Sequence, residues 1–135
     1  SLFAGVLMGF DALVRAGMVA SRPRLVGVQP EACAPVVSAW HEQPFEGSLG
    51  SSLAEGTMVE NPARKAEILA YLKRDADRLV SVTESEIAAA HRSLIQAGLY
   101  VEPTSAMALA ASCKVEETPG KSVLIMSGSG LKSSK

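Results

Sequence analysis

The sequence predicts a three-layer α/β fold, with helices on both faces of a mostly parallel sheet, formed as one domain over residues 1–135. Short apolar runs alternate along the chain with segments that have the helical period of 3.6 residues. Three of the runs, at 24–28, 78–82 and 122–127, are typical of strands buried on both faces, the usual state in a parallel sheet. We therefore expect these three strands to lie parallel in one sheet, joined by right-handed crossovers.

Helical segments are expected between these strands. The first helix covers 1–16 and is predicted to pack on the sheet through four apolar side chains, Phe3, Leu7, Phe10 and Val14. A turn or two of helix is expected at 34–40. Asn61 followed by Pro62 is predicted to cap a further helix before the second strand.

A capping box follows the second strand. Thr83 and Glu86 are spaced so that each side chain can bond the other residue's free backbone amide. The helix that begins there is predicted to stop at Gly98 and to bury one stripe, formed by Ile87, Ala90, His91, Leu94 and Ile95. Because His91 has no partner nearby in the sequence, we expect a half-buried structural residue. A small Ala-rich helix is expected from Thr104 or Ser105 to about Ser112.

Residues 41–56 are predicted to be the least ordered internal segment. They are rich in Gly, Ser and Glu, show no period and offer few anchors for a core. A loop of this length inside a compact domain is usually functional or mobile.

Composition narrows the class of protein. A formal net charge of -1 gives no electrostatic basis for binding nucleic acid or an anionic membrane. No apolar run approaches the roughly 18 residues of a membrane span. Cys33 and Cys113 stand apart from each other and from both histidines, so no metal site is predicted, and isolated cysteines fit a reducing compartment. These features predict a cytoplasmic domain that binds neither nucleic acid nor membrane.

The last apolar run leads into a small polar segment, Ser127-Gly128-Ser129-Gly130. Open parallel sheets bind their ligands at the carboxyl ends of the strands. Hydroxyls and bare backbone amides at that position allow a ligand to approach closely. A plain connector after a core strand would have the same composition, so spacing alone leaves both interpretations open.

Three blocks of the sequence stand in an order typical of one enzyme group. The blocks are Glu55-Gly56 with Asn61-Pro62-Ala63-Arg64, then residues 80–87, then Glu102-Pro103-Thr104-Ser105-Ala106 with Ser127-Gly128-Ser129-Gly130-Leu131-Lys132. Together they resemble the carboxyl-terminal part of the pyridoxal-phosphate enzymes of fold type II, the tryptophan-synthase-β-like group, and within it the threonine synthases. The resemblance implies part of the large domain of such an enzyme, with pyridoxal 5'-phosphate as the cofactor of the complete protein.

The same resemblance implies cofactor-binding roles for Ser127, Gly128 and Glu102. In threonine synthases a Thr at the position of Ser127 donates its hydroxyl to the pyridine nitrogen, and Ser127 keeps that hydroxyl. A neutral partner limits the ring as an electron sink, which suits elimination and replacement at Cβ or Cγ. Gly128 and Gly130 would let the backbone come close to the ring. Glu102 matches a residue near the cofactor pocket, although a carboxylate before Pro103 also fits a plain surface position.

Two elements of the group's chemistry do not occur in the sequence. The lysine that forms the Schiff base and the Gly-rich phosphate loop both precede, in the group, the segment that residues 1–5 resemble. No catalytic residue is therefore predicted within 1–135. In racemase and dehydratase relatives, a carboxylate and a backbone carbonyl in the block equivalent to 29–35 hold a divalent cation. Gln29 and Pro35 stand where those enzymes have acids, so no metal is predicted.

The first functional hypothesis is a fragment of a pyridoxal-phosphate lyase that resembles threonine synthase, an enzyme of threonine biosynthesis. That reaction converts O-phosphohomoserine and water to threonine and phosphate. Such a fragment would be inactive alone and would need the missing amino-terminal half as its partner, an amino-acid substrate, and, as a possible assembly, a second copy in a homodimer. The alternatives are a fragment of a threonine or serine dehydratase-like enzyme and a non-catalytic α/β binding module of this ancestry.

Overall fold

Two parallel strands form the centre of the fold. The computed structural model of the chain describes residues 1–72, 76–116 and 120–132. Strand β1 (Val26–Pro30) pairs in parallel with β2 (Arg78–Val82), with Val28 opposite Val80. Helices α1 (Leu2–Arg15), α2 (Pro35–Trp40), α3 (Lys65–Tyr71), α4 (Glu84–Gln96) and α5 (Pro103–Ser112) surround this pair. The predicted three-layer α/β class is confirmed.

One face of the sheet is covered by α1, α2 and α3. Their buried side chains meet the strand residue Leu79 in one cluster, formed by Ala4, Leu7, Ala34, Val36, Val37, Trp40, Ile68, Leu72 and Leu79. Of the four side chains expected to pack α1 on the sheet, Leu7 is buried and Phe3, partly buried, packs against the same cluster, whereas Val14 is 36% exposed. This correction has a simple cause, because α1 lies mainly against α3 and a two-stranded sheet is too narrow to cover its whole apolar stripe.

Helices α4 and α5 cover the opposite face. The strand side chains Val28 and Val80 point into their cluster, because neighbouring residues of a strand face opposite sides. The capping box is present, with the Thr83 amide 2.7 Å from a Glu86 carboxylate oxygen. His91 is half-buried and donates from Nε2 to the carbonyl oxygen of Val101 at 2.8 Å, as expected of a structural histidine. Ile95 is 43% exposed, so the predicted buried stripe is one residue too wide.

Several predicted boundaries are shifted. β1 begins two residues later than the predicted run at 24–28 and ends two residues later, at Pro30. The helix expected at Pro62 begins instead at Lys65, because the Pro62 carbonyl first closes a turn with the Lys65 amide at 3.0 Å. α4 ends at Gln96, and Gly98 follows with φ +82, a left-handed conformation that favours glycine after a helix.

The third predicted strand is wrong. Residues 121–128 form no strand, and three of their apolar side chains are exposed: Val123 by 84%, Leu124 by 36% and Ile125 by 48%. Met126 alone among these apolar residues packs against the cluster of α4 and α5. A strand buried on both faces needs a hydrogen-bonded neighbour and cover on both sides. The described residues supply neither to this segment.

The 41–56 loop has more anchors than its composition suggests. Ser52 and Ala54 are buried, and the Leu49 amide donates to the Ala32 carbonyl at 2.8 Å. Its last two residues open a 3₁₀ turn at Glu55–Thr57. The expectation that this loop is the least ordered internal segment stays a prediction. Within the described ranges, every helix is too short or too polar to cross a membrane.

Candidate functional site

The segment Ser127-Gly128-Ser129-Gly130 lies beside the beginning of α5. The Glu102 amide donates to the Gly128 carbonyl at 3.1 Å, and the Gly130 amide donates to the Tyr100 carbonyl at 3.1 Å. Val101 and Ser129 form an isolated antiparallel bridge between these two bonds. The final block of the sequence is therefore joined, by backbone pairing, to the Glu-Pro-Thr-Ser-Ala block.

Ser105 adds side-chain hydrogen bonds to this backbone pairing, which we name the Glu102–Gly128 junction. Its hydroxyl accepts a hydrogen bond from the Gly128 amide at 2.9 Å and donates to the Gly128 carbonyl at 3.5 Å. Ser105 is only 6% exposed, so the bonds are shielded from water. Sequence reasoning did not assign this role. Its position in the Glu-Pro-Thr-Ser-Ala block was the one available signal.

Two of the predicted cofactor-binding residues are in direct contact. A Cβ atom placed on Gly128 would overlap the Glu102 side chain, so any larger residue at 128 would force that side chain to shift. Ser127, the third, is adjacent in the chain and exposed, and its hydroxyl makes no hydrogen bond to the part of the chain that the structure describes. Gly130 is similarly tight, since a Cβ there would lie 3.0 Å from the Tyr100 ring. The structure thus gathers Glu102, Ser127 and Gly128 at one surface.

The first block of the resemblance reaches the same surface. Gly56 lies beside α5, where a Cβ on it would be 3.7 Å from the Thr104 hydroxyl. The 3₁₀ turn around Gly56 is closed by Thr57, whose amide and hydroxyl both donate to the Ala54 carbonyl, at 3.0 and 2.7 Å. Residues 52–57, which we name the 52–57 turn, therefore lie beside the beginning of α5, the helix that Glu102 precedes.

Gln29, where the resemblance places an acid in some related enzymes, caps a helix in this structure. Its side-chain oxygen accepts the amides of Val36 and Val37 at 2.8 and 3.0 Å and so caps the beginning of α2. Glu31 is exposed at the surface. Within the described ranges, no group of three or more His, Cys, Asp or Glu side chains could hold a metal ion.

Lys114 is committed to an ion pair away from this junction. Its ammonium lies 2.8 Å from a Glu86 carboxylate oxygen and 2.9 Å from the Ser81 carbonyl. The hydrogen bond from Lys114, followed by the one from the Thr83 amide, holds the pKa of Glu86 below its usual value. Lys114 therefore joins a backbone carbonyl of β2 to a carboxylate in the first turn of α4.

Comparison with known proteins identifies the family. The family model described as "Pyridoxal-phosphate dependent enzyme" matches residues 1–128. The chain therefore belongs to the pyridoxal-phosphate dependent enzymes, a family that uses pyridoxal phosphate as its cofactor. Within that family it is similar to threonine synthases: 25% identical over 96% of the chain to that of Methanocaldococcus jannaschii, and 29% identical over 78% to that of Methanosarcina acetivorans.

A solved structure supports the fold assignment. The crystal structure of a threonine deaminase from T.th. matches 84% of the chain with a TM-score of 0.60 and 25% sequence identity. This likeness and the two synthases confirm the resemblance to fold type II enzymes. The chain spans 34% and 27% of the lengths of the two synthases and 39% of the deaminase.

Proposed function

We propose that the chain is the carboxyl-terminal part of a pyridoxal-phosphate lyase of the threonine-synthase type. The complete enzyme would convert O-phosphohomoserine and water to threonine and phosphate. The observation that carries this proposal is the junction of Glu102, Ser105 and Gly128, beside which the Ser127 hydroxyl is exposed and has no hydrogen-bond partner among the described residues. The similarity to two threonine synthases supports the choice of reaction.

The residues at this junction fit one side of the cofactor. The Ser127 hydroxyl would donate to the pyridine nitrogen, while the Glu102 side chain packs against Gly128 in the space that a Cβ atom would occupy. Bound pyridoxal phosphate supplies an electron sink for the substrate's carbanion. Because Ser127 offers a neutral hydroxyl, it orients the ring without fixing a proton on the nitrogen. Ser105 holds the two backbone groups of Gly128 and thereby keeps Ser127 in place.

The rest of the site would come from another part of the polypeptide. The sequence contains no segment that resembles the group's Schiff-base lysine or its phosphate loop, and the chain spans about a third of the first synthase's length. We therefore propose that residues 1–135 alone are inactive and require an amino-terminal partner segment. A homodimer of the complete enzyme and a cytoplasmic location, where Cys33 and Cys113 stay free thiols, belong to the same proposal.

A phosphate-release assay tests this function. The polypeptide that carries residues 1–135 in its source genome is purified with pyridoxal phosphate and given O-phosphohomoserine, beside the 135-residue chain as a matched control. We expect threonine and phosphate in equal amounts from the former and neither from the latter. Phosphate release by the 135-residue chain, or none by the longer polypeptide, contradicts the proposal.

The second candidate is a dehydratase acting on threonine or serine. The structural likeness to a threonine deaminase favours it. It is distinguished in the same preparation, because it would release ammonia and a 2-oxo acid from threonine and would leave O-phosphohomoserine unchanged.

A further inference from the structure

Glu84 is the residue whose environment the proposed function does not yet explain. One of its carboxylate oxygens, Oε2, accepts the Leu53 amide at 2.8 Å. The other, Oε1, is shielded from solvent and has no hydrogen-bond partner within the described part of the chain. Leaving a buried acceptor unsatisfied is unfavourable, and such groups tend to occur at functional sites.

The beginning of α4 does not need the Glu84 carboxylate as a cap. Thr83 and Glu86 already form a complete capping box, in which each side chain accepts the other residue's amide. Glu84 is directed instead to a segment 31 residues earlier in the chain. Its hydrogen bond therefore fixes the position of the 52–57 turn relative to α4, a contact that local helix stability does not require.

The 52–57 turn links Leu53 to the beginning of α5, next to the candidate site. Leu53 is followed by the fully buried Ala54, which packs in the cluster formed by α4 and α5. The Ala54 carbonyl closes the 3₁₀ turn, and Gly56 in that turn lies against Thr104 at the beginning of α5. A displacement of Leu53 would thus move Gly56 relative to Thr104, at the beginning of the helix that follows Glu102.

We propose that Glu84 is a positioning residue of the enzyme: its carboxylate holds the Leu53 amide and so sets the 52–57 turn against the beginning of α5. This inference rests on the proposed function, since it assigns the turn a role beside that site. Glu84 touches neither cofactor nor substrate in this role. It acts through Leu53, Ala54 and Gly56.

Three variants separate positioning from simple stability. Glu84→Ala removes the acceptor, and Glu84→Gln keeps an oxygen that can accept the Leu53 amide without the charge. Ser85→Ala is the matched control, because Ser85 is exposed in the same helical turn and bonds only the Thr83 hydroxyl among the described residues. Amide hydrogen exchange at Leu53 is measured by NMR in the 135-residue chain. We expect it to be roughly ten- to a hundredfold faster in Glu84→Ala, the loss of one bond to a charged group, and close to normal in Glu84→Gln and Ser85→Ala.

The second readout is kinetic. In the longer polypeptide, kcat/KM per mole of bound cofactor should fall roughly tenfold in Glu84→Ala and recover largely in Glu84→Gln. A residue needed only for stability would reduce the amount of folded enzyme and leave this quantity unchanged. Unchanged exchange at Leu53, or faster exchange with unchanged kinetics, would overturn the positioning role. If the wild-type polypeptide forms no threonine, the proposed function fails, and pyridoxal-phosphate affinity replaces kcat/KM as the readout that judges Glu84.

Discussion

Replacing Asp77 with Asn is expected to destabilise the chain by about 3–5 kcal/mol, the usual result of removing one partner of a buried ion pair. Asp77 forms such a pair with Arg22, and their side chains are 1% and 4% exposed. The other Asp77 oxygen accepts the Leu25 amide at 2.9 Å, just before β1. This pair therefore joins the segment before β1 to the segment before β2.

The loss of stability comes mainly from Arg22, whose buried positive charge would lose its carboxylate partner. Its Nη2 atom donates to Asp77 and, at 3.2 Å, to the Tyr71 carbonyl. Its Nε and Nη1 atoms are buried without a partner within the described residues, so the carboxylate is the main compensation for the positive charge. Asn at 77 can still accept the Leu25 amide through its side-chain oxygen, so this backbone bond is kept while Arg22 loses both the negative charge and an acceptor.

A double-mutant cycle measures the coupling. Arg22→Met and Asp77→Asn are each expected to be strongly destabilising, whereas the double variant removes both charges and should lose far less than the sum. Urea unfolding followed by circular dichroism is the assay. With a slope of about 2 kcal/mol per molar urea, a loss of 3–5 kcal/mol lowers the midpoint by about 1.5–2.5 M.

The exposed pair of Arg64 and Glu67 on α3 is the control, with side chains 48% and 35% exposed and 3.4 Å apart. Its coupling should not exceed about 1 kcal/mol, because water screens such pairs. If the Arg22 and Asp77 variants are additive within about 0.5 kcal/mol, the reasoning about the buried pair is refuted.

Three further variants test the site and its surroundings. In the longer polypeptide, Ser127→Ala should weaken pyridoxal-phosphate binding roughly three- to tenfold, the loss of one neutral hydrogen bond, and an unchanged Kd would refute its role. Gly128→Ala should cost about 0.5–1.5 kcal/mol in urea unfolding by forcing Glu102 out of its rotamer, and Glu102→Ala should restore most of that loss. Lys114→Met should reduce the acid sensitivity of folding. Lys114 lowers the pKa of Glu86 in the folded state. The stability that this pair contributes is therefore present above pH 4.5, the usual pKa of the carboxyl, and is lost as the pH falls through the lower folded-state value. Without Lys114, unfolding midpoints measured from about pH 3 to 6 should depend less on pH.

The sequence predicted the parts of the fold that depend on local signals. β1 and β2 are apolar runs between helical segments, and the capping box at Thr83 and Glu86 is complete within four residues. The structural role of His91 followed from the helical period, although its partner, the Val101 carbonyl, was not foreseen. Local patterns are enough for the capping box, because both of its bonds lie within one helical turn. The two strands were predicted from their own apolar runs, although each residue pairs with one far along the chain, as Val26 does with Arg78.

The failures concern properties that depend on distant partners. The run at 122–127 has the composition of a buried strand, but burial on both faces is decided by neighbours, and the described residues leave Val123 and Ile125 exposed. The pair of Arg22 and Asp77 joins residues 55 positions apart, with no signal at either. In the candidate site, Ser127, Gly128 and Glu102 came from the resemblance, whereas Ser105 emerged only when the two segments were seen together.

The central claim is that this chain supplies the Ser127 side of a cofactor site whose Schiff-base lysine lies elsewhere in the polypeptide. Borohydride reduction with pyridoxal phosphate, followed by peptide mapping, tests it most directly. In the 135-residue chain we expect low, scattered labelling of exposed lysines. In the longer polypeptide we expect one stoichiometric adduct at a lysine outside residues 1–135. Stoichiometric labelling of a single lysine within residues 1–135 would contradict the account.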